Sequence, residues 1–321
     1  MFSMRKCIAL LLIVILLFTA SCSGKVYKSS ETFFMMDTVV TISADCDSEI
    51  IKEAFSLCRN YENMLSRTKE GSDIYKINNS DDFVEVNAET AELISRAVGY
   101  SSLSDGKFDI TVCPVSSLYD FNGNTLPDDA KVKEALKKID YKKIVVDKNR
   151  VKLPDGQLDL GAIAKGYITD KVVEFLKSKG VKRATVNMGG NLYCYGDKNN
   201  DIGIRKPFSD DIAATIIYGE GTFVTSGIYQ RYIEHQGKIY HHIIDSKTGY
   251  GVENDLSSVT IIGKNSADAD ALSTVCMLLG SSKAAELIES RENEEAVFIL
   301  RDGSIKVTSG LTINSGIIKA K

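Results

Sequence analysis

The chain has 321 residues, 44% of them hydrophobic and 26% charged, with a formal net charge of −4. It is long enough to bury its own core, which excludes reliance on a disulfide scaffold. A mildly acidic balance with no Lys/Arg block argues against nucleic acid as a partner, because such binding rests on phosphate neutralisation by basic patches.

The N-terminus carries Arg5 and Lys6, an unbroken apolar run from Ile8 to Phe18, and Thr19-Ala-Ser-Cys22. This is the pattern of a secretory signal, with an apolar stretch too short for a bilayer span of about 20 residues. Small residues directly before a cysteine resemble the lipobox of bacterial lipoproteins. Residues 1–21 are therefore expected to be removed, with Cys22 as a lipidated first residue on the extracytoplasmic face of the cell membrane. Losing Arg5 and Lys6 moves the net charge from −4 to −6. Residues 22–30 read as a polar tether and 31–321 as the globular domain. Five cysteines remain (Cys46, Cys58, Cys113, Cys194 and Cys276) with no CxxC pair, so buried free thiols are expected.

Thr32 to Ser43 reads as a strand, followed by a helix over Asp47 to Arg67, where Ile50, Ala54, Leu57, Tyr61 and Leu65 recur at three and four spacing. A second helix covers Ala88 to Leu103 and breaks at Asp105-Gly106. A third follows Pro127, with Asp128 and Asp129 suited to its N-terminus. Short strands are expected at Ile144 to Val146 and Val151 to Leu153, then a helix from Gly161 to about Lys179. The C-terminal half mixes strands near 183–187, 213–218, 258–262, 296–300 and 304–308 with helices from about Ser266 and over Lys283 to Arg291. One compact α+β unit of two closely packed lobes follows, with the site in the cleft between them.

Several blocks carry chemistry. Asp270 and Thr274 share one helix face, a small oxygen-only pair of the kind Mg²⁺ takes, although the same spacing also makes an ordinary polar stripe. Gly161-Ala-Ile-Ala-Lys-Gly166 forms a tight turn into a helix with Lys165 at its start, suited to phosphate or to a plain strand-to-helix connection. Asn187-Met-Gly-Gly-Asn191 allows close approach of main chain to a ligand, or a Gly-Gly hairpin turn. His241 and His242 precede Asp245 and a turn at Lys247-Thr-Gly249, and on a strand only one of them faces the cleft. Asp105-Gly-Lys-Phe-Asp109 could close over a ring system or simply end a helix with Phe108 in the core.

Together these blocks resemble the ApbE family, the FAD:protein FMN transferases, over roughly Glu31 to Ser309. The family's usual Met-Gly-Thr stands here as Met36-Asp-Thr38, and its Asp-Gly-Ala-Phe-Asp as Asp105-Gly-Lys-Phe-Asp109. Asp159-Leu-Gly-Ala-Ile-Ala-Lys-Gly166, Asn187-Met-Gly-Gly190, His242-Ile-Ile-Asp-Ser-Lys-Thr-Gly249 and Ala269-Asp-Ala-Leu-Ser-Thr274 match further motifs in order. Asp37, Lys107 and Ser246 depart from the usual Gly, Ala and Pro. The resemblance implies an ApbE-like (T-fold-like) fold, with Mg²⁺ held by Asp270, Thr274 and a carbonyl at Ala162. It implies FAD as substrate, contacted by Met36, Lys107, Phe108, Asp109, Lys165 and Asp245, with His242 as general base. FMN would pass to a threonine of another protein, with membrane-associated electron-transfer subunits as acceptors. Two other readings stay open at this point: a Mg²⁺-dependent FAD pyrophosphatase and a non-catalytic flavin-binding lipoprotein.

Overall fold

The computed structural model describes residues 26–321, so the signal segment and Cys22 lie outside the described residues. The described chain opens with strands β1 (Ser29–Met35) and β2 (Thr38–Ala44) and passes into helix α1 (Ser48–Leu65). Helix α2 (Asp73–Asn78), strand β3 (Val84–Glu85) and helices α3 (Ala88–Leu103), α4 (Cys113–Ser116) and α5 (Asp129–Leu136) follow. Strands β4 (Val145–Asp147) and β5 (Arg150–Lys152) precede α6 (Ala164–Ser178). Next come β6 (Ala184–Met188), β7 (Asn191–Tyr195), β8 (Asn200–Arg205), β9 (Ile212–Tyr218) and β10 (Gly221–Gly227). Two small hairpins, β11 (Tyr232–His235) with β12 (Lys238–His241) and β13 (Ile244–Asp245) with β14 (Tyr250–Gly251), lead to β15 (Leu256–Gly263). Helices α7 (Ser266–Leu279) and α8 (Ser281–Glu289) and strands β16 (Glu295–Leu300), β17 (Ile305–Val307), β18 (Leu311–Asn314) and β19 (Ile317–Ala320) complete it.

The frame is an eight-stranded antiparallel sheet in the order β1-β2-β6-β7-β10-β15-β16-β17. One face carries the helices. There α1 contributes Ile51, Ala54, Phe55, Cys58, Tyr61 and Leu65 at helical spacing, one apolar stripe against the sheet. The other face carries a four-stranded sheet, β18-β19-β9-β8, which packs Ile204, Ile216 and Ile318 against Phe223, Ile262 and Ile299. Strand β15 is covered on both faces, and all eight of its residues are buried. It therefore carries no alternation of buried and exposed residues, and its polar members Ser257, Ser258 and Thr260 are buried along with Val259, Ile261 and Ile262. Each large side chain so buried contributes about 1.5–3 kcal/mol relative to exposure.

Helix α7 is the central element: every residue except Asp268, Thr274 and Leu279 is buried. Its run of Ala, Ser and Cys reflects that crowding, and Cys276 lies wholly inside, its thiol pushed up to about 12 by burial. All five described cysteines are buried free thiols, as expected. A smaller third cluster, Val115, Tyr119 and Ile244 packed with Phe121, Leu126 and Leu136, forms the minor lobe.

Two expectations are corrected here. The strand expected over Thr32 to Ser43 is a hairpin turning at Met36-Asp37, both at positive φ (53° and 55°), the turn whose twist matches paired strands. The tether expected to run to Ser30 gives way to β1 at Ser29, and Tyr27 already bonds Thr185 Oγ1 at 2.6 Å.

Candidate active site

The turn before α6 is shaped by Asp159. Its Oδ1 accepts the Gly161 N–H at 2.9 Å, while Oδ2 faces Arg67 Nε at 3.4 Å and Ser116 Oγ at 3.3 Å. Lys165, one residue into α6, folds its Nζ back onto the Gly161 carbonyl at 2.9 Å. At Gly166 a Cβ would lie 2.1 Å from the Ser266 carbonyl oxygen, so only glycine lets α6 cross the first turn of α7. The crossing is locked from α6 by Asp170, whose carboxylate caps α7 by accepting the Ser266 and Ala267 N–H groups at 2.8 and 2.9 Å. Burial nonetheless pushes the Asp170 carboxyl up.

This close crossing creates the site. The Gly166 N–H donates to Asp270 Oδ2 at 2.9 Å instead of to the carbonyl four residues back. Among the described residues no hydrogen bond reaches the Ala162 carbonyl oxygen. Asp270 is buried with one oxygen engaged, and Thr274 stands one turn further along α7, half-buried, its Oγ1 3.5 Å from Ser226 Oγ. Ser226 also bonds Ser273 Oγ at 2.7 Å. A carboxylate oxygen, an uncapped carbonyl and a hydroxyl at the positive end of α6 form a hard oxygen set that fits Mg²⁺. No three His, Cys, Asp or Glu side chains gather as a metal site among the described residues. A cation held here would therefore complete its shell from water and substrate.

The histidines separate as strand geometry requires. His241 is buried and donates Nε2–H to the Val252 carbonyl at 3.0 Å, leaving Nδ1 without a partner. His242 is half-buried; both its backbone N–H and Nδ1 meet the Arg231 carbonyl at 3.1 Å. Since a carbonyl can only accept, Nδ1 carries the proton and Nε2 keeps the lone pair. The ring stands edge-on to Phe121 at 6.5 Å, and Phe121 stacks on Tyr119 at 5.6 Å. Burial, with Arg231, His241 and Lys165 adding positive charge, pushes His242 down to about 4; burial does the same to His241.

The loop after α3 is tied to the 245–249 turn by side chains. Lys107 Nζ pairs with buried Asp245 Oδ2 at 2.8 Å, Lys247 with Asp105 at 2.6 Å, and Ser246 Oγ donates to the Gly106 and Lys107 carbonyls. Two departures from the family pattern, Lys107 and Ser246, thus act in one latch. Asp245 Oδ1 also accepts the Lys247 N–H at 2.9 Å.

Phe108 and Asp109, expected to contact FAD, are buried and engaged within the fold. Phe108 is 3% exposed and packs edge-on against Tyr100. Asp109 spends Oδ1 on Thr111 N and Oγ1 and Oδ2 on the Tyr141 N–H, a buried bracket whose carboxyl is pushed up by desolvation.

Met36 lies at the sheet end bearing the site, its N–H donated to Glu62 Oε1 at 2.6 Å. Gly189-Gly190 is the hairpin turn between β6 and β7, and a Cβ on Gly189 would strike Thr38 Oγ1 at 1.9 Å, so the two turns touch. The structure thus ties the turn that carries Ala162 and Lys165 to Asp270 through the Gly166 N–H, with Thr274 one turn further along α7. Ser226 stands outside every sequence motif, and the role of Gly166 was signalled only by its being the second glycine of the Lys165 turn.

A family model described as the ApbE family matches residues 36–299. The FAD:protein FMN transferase of Klebsiella pneumoniae (strain 342) is 34% identical over 274 residues, covering 82% of this chain and 86% of that protein. The FAD:protein FMN transferase of Treponema pallidum is 31% identical over 298 residues, covering 84% and 82%. Among solved structures, an ApbE protein from Thermotoga maritima superposes with a TM-score of 0.79 at 32% identity, covering 88% of this chain and 97% of that one. Flavinyl transferase ApbE of Pseudomonas stutzeri, in its apo form, gives 0.76 at 27% identity, covering 88% and 94%. These likenesses bear out the α+β, ApbE-like fold expected from the motifs.

Proposed function

This chain belongs to the ApbE family, and from that premise we propose that it transfers FMN from FAD to a threonine hydroxyl of another protein, releasing AMP. The observation that carries this reading is the Gly166–Asp270 bond, which frees the Ala162 carbonyl beside Asp270 and Thr274. Mg²⁺, held by those three groups, would supply Lewis acidity and a template for the diphosphate of FAD. Lys165 and the N-terminus of α6 place positive charge where an anionic diphosphate docks. His242 offers an unprotonated Nε2, fixed by the Arg231 carbonyl, to the attacking hydroxyl. As the acceptor oxygen bonds to the FMN phosphorus, its proton passes to Nε2, and the bond to the AMP phosphate oxygen breaks.

Residues 1–22 support a further part of the reading: the protein is lipid-anchored through Cys22 on the extracytoplasmic face, where membrane-associated electron-transfer subunits would be its acceptors. Among the described residues no helix is long and apolar enough to cross a membrane.

The test is incubation of the purified protein with FAD and Mg²⁺, with and without a threonine-bearing acceptor domain, following AMP and covalent flavin fluorescence. Labelled acceptor with AMP, both lost on adding EDTA, is the expected result. AMP and free FMN with no labelling would replace the transferase by a hydrolase, and bound but intact FAD would reduce it to a flavin-binding protein.

A further inference from the structure

Asn191 is fully buried, and neither Nδ2 nor Oδ1 has a hydrogen-bond partner. Among the described residues it is the only side chain in which two buried polar atoms are both orphaned. Buried polar groups are almost always paired, because desolvation without a partner is costly. An amide with four unused hydrogen-bonding positions calls for an explanation, and its place in the fold supplies one.

Side chains alternate along β7. Tyr193 and Tyr195 belong to the core under the helices, whereas Leu192 and Cys194 pack toward the four-stranded sheet. Asn191 therefore faces the helices. In register it sits beside Val224 of β10, which belongs to the same core. Two residues further along the same face of β10 is Ser226, which bonds Ser273 and approaches Thr274. The Gly190 carbonyl accepts the Thr225 N–H at 2.9 Å, holding the end of β10 against the turn that presents Asn191. The orphaned amide thus lies on the sheet floor beneath the Asp270–Thr274 centre. That centre offers acceptor oxygens; a diphosphate also needs donors, and besides hydroxyls Lys165 is the one donor side chain so far placed there.

We propose that Asn191 is a substrate-contacting residue, its Nδ2–H donating to a diphosphate oxygen of the bound nucleotide. This inference rests on the flavin-transferase reading given above. The ligand-free fold carries the amide unpaired, and the diphosphate would provide the partner missing at Nδ2. The contact is with the diphosphate rather than with the flavin ring, which sets the ligand dependence of the test.

The experiment measures equilibrium binding of FAD, ADP and riboflavin, with Mg²⁺, to the full protein carrying His242→Ala to stop turnover. It is repeated with Asn191→Leu and Asn191→Ala added, each checked for a cooperative unfolding transition. The expected result is at least a tenfold loss of FAD and ADP affinity in whichever variant folds, with riboflavin binding unchanged. Ligand-free Asn191→Leu should melt no lower than its parent, because an apolar isostere removes the orphaned amide. Unchanged FAD and ADP affinity, or a loss confined to riboflavin, would overturn the inference while leaving the functional reading intact. Failure of the parent protein to bind FAD at all would overturn both.

Discussion

Gly166 gives its backbone N–H to Asp270 Oδ2 across 104 residues of sequence, at 2.9 Å, where an ordinary helix would give it to Ala162. One hydrogen bond is thus moved from the helix to a side chain: it frees the Ala162 carbonyl and engages one carboxylate oxygen of Asp270, whose other oxygen is untouched by it. The positive end of α6 is aimed at the same point.

Gly166→Ala tests that crossing. A Cβ 2.1 Å from the Ser266 carbonyl oxygen meets backbone on the other helix, which cannot swing away. Loss of about 3 kcal/mol of stability is expected, at the upper end for overpacking, together with loss of flavin transfer. Chemical denaturation of the variant, with an unchanged midpoint, would show that the helices are not in contact as described.

Asp270→Ala removes the carboxylate and leaves the Gly166 N–H without its acceptor. AMP release should fall by about 10²–10³-fold or more, as for removal of one principal electrostatic group, and Mg²⁺ titration should no longer restore it. A rate equal to that of the unaltered protein would remove Asp270 from the centre.

His242 is held neutral down to about pH 4 by burial and by positive neighbours. As the base, it should keep kcat/KM level on the acid side from pH 7 to about 5, where an ordinary histidine would already be protonated. His242→Ala should cost about 10²–10⁴-fold. A steep fall of the unaltered enzyme's kcat/KM between pH 7 and 6 would contradict the environment described for this ring.

His241 makes a different statement, about stability. Its folded-state value, about 4, lies below its ordinary value of 6.5, so the unfolded chain binds the extra proton between those limits. Stability is therefore full above pH 6.5 and falls as pH drops toward 4, by on the order of 2–3 kcal/mol from this buried ring. Denaturation midpoints for His241→Gln should show a shallower dependence across that window.

Lys107→Ala would leave buried Asp245 without its cation. Because Lys107 is about one-third exposed, the cost expected is roughly 1–2 kcal/mol, below that of a fully buried pair. Adding Asp245→Asn should recover part of the loss, which a double-mutant cycle of denaturation energies would read.

Local signals made much of this legible. Helix α3 runs from Ala88 to Leu103 as expected, with Asn87 at its N-cap position and Asp105-Gly106 at its end. The Asp270–Thr274 pair was readable because helical spacing puts i and i+4 on one face. The hairpin at Met36-Asp37 was hidden because the strongest turn signals are Asn-Gly and Asp-Gly, and a methionine at φ 53° gives none. The burial of Phe108 and Asp109 was hidden because an aromatic beside a carboxylate in a loop looks the same whether it faces a cleft or closes a core. Ser226 and the setting of Asn191 depend on sheet register between β7 and β10, which pairs strands separated by other elements and leaves no trace in a local window.

The span of that Gly166–Asp270 bond also fixes when the protein can first work. Strand β2 must wait for β6, β10 for β15, and the turn at Gly161 for a helix that begins at Ser266. Long-range closures of this kind are slow and come after local structure has formed. A nascent chain emerging N-terminus first is therefore chemically silent until its last fifth is made, and a break between residues 166 and 270 that separates the two pieces leaves neither with a centre.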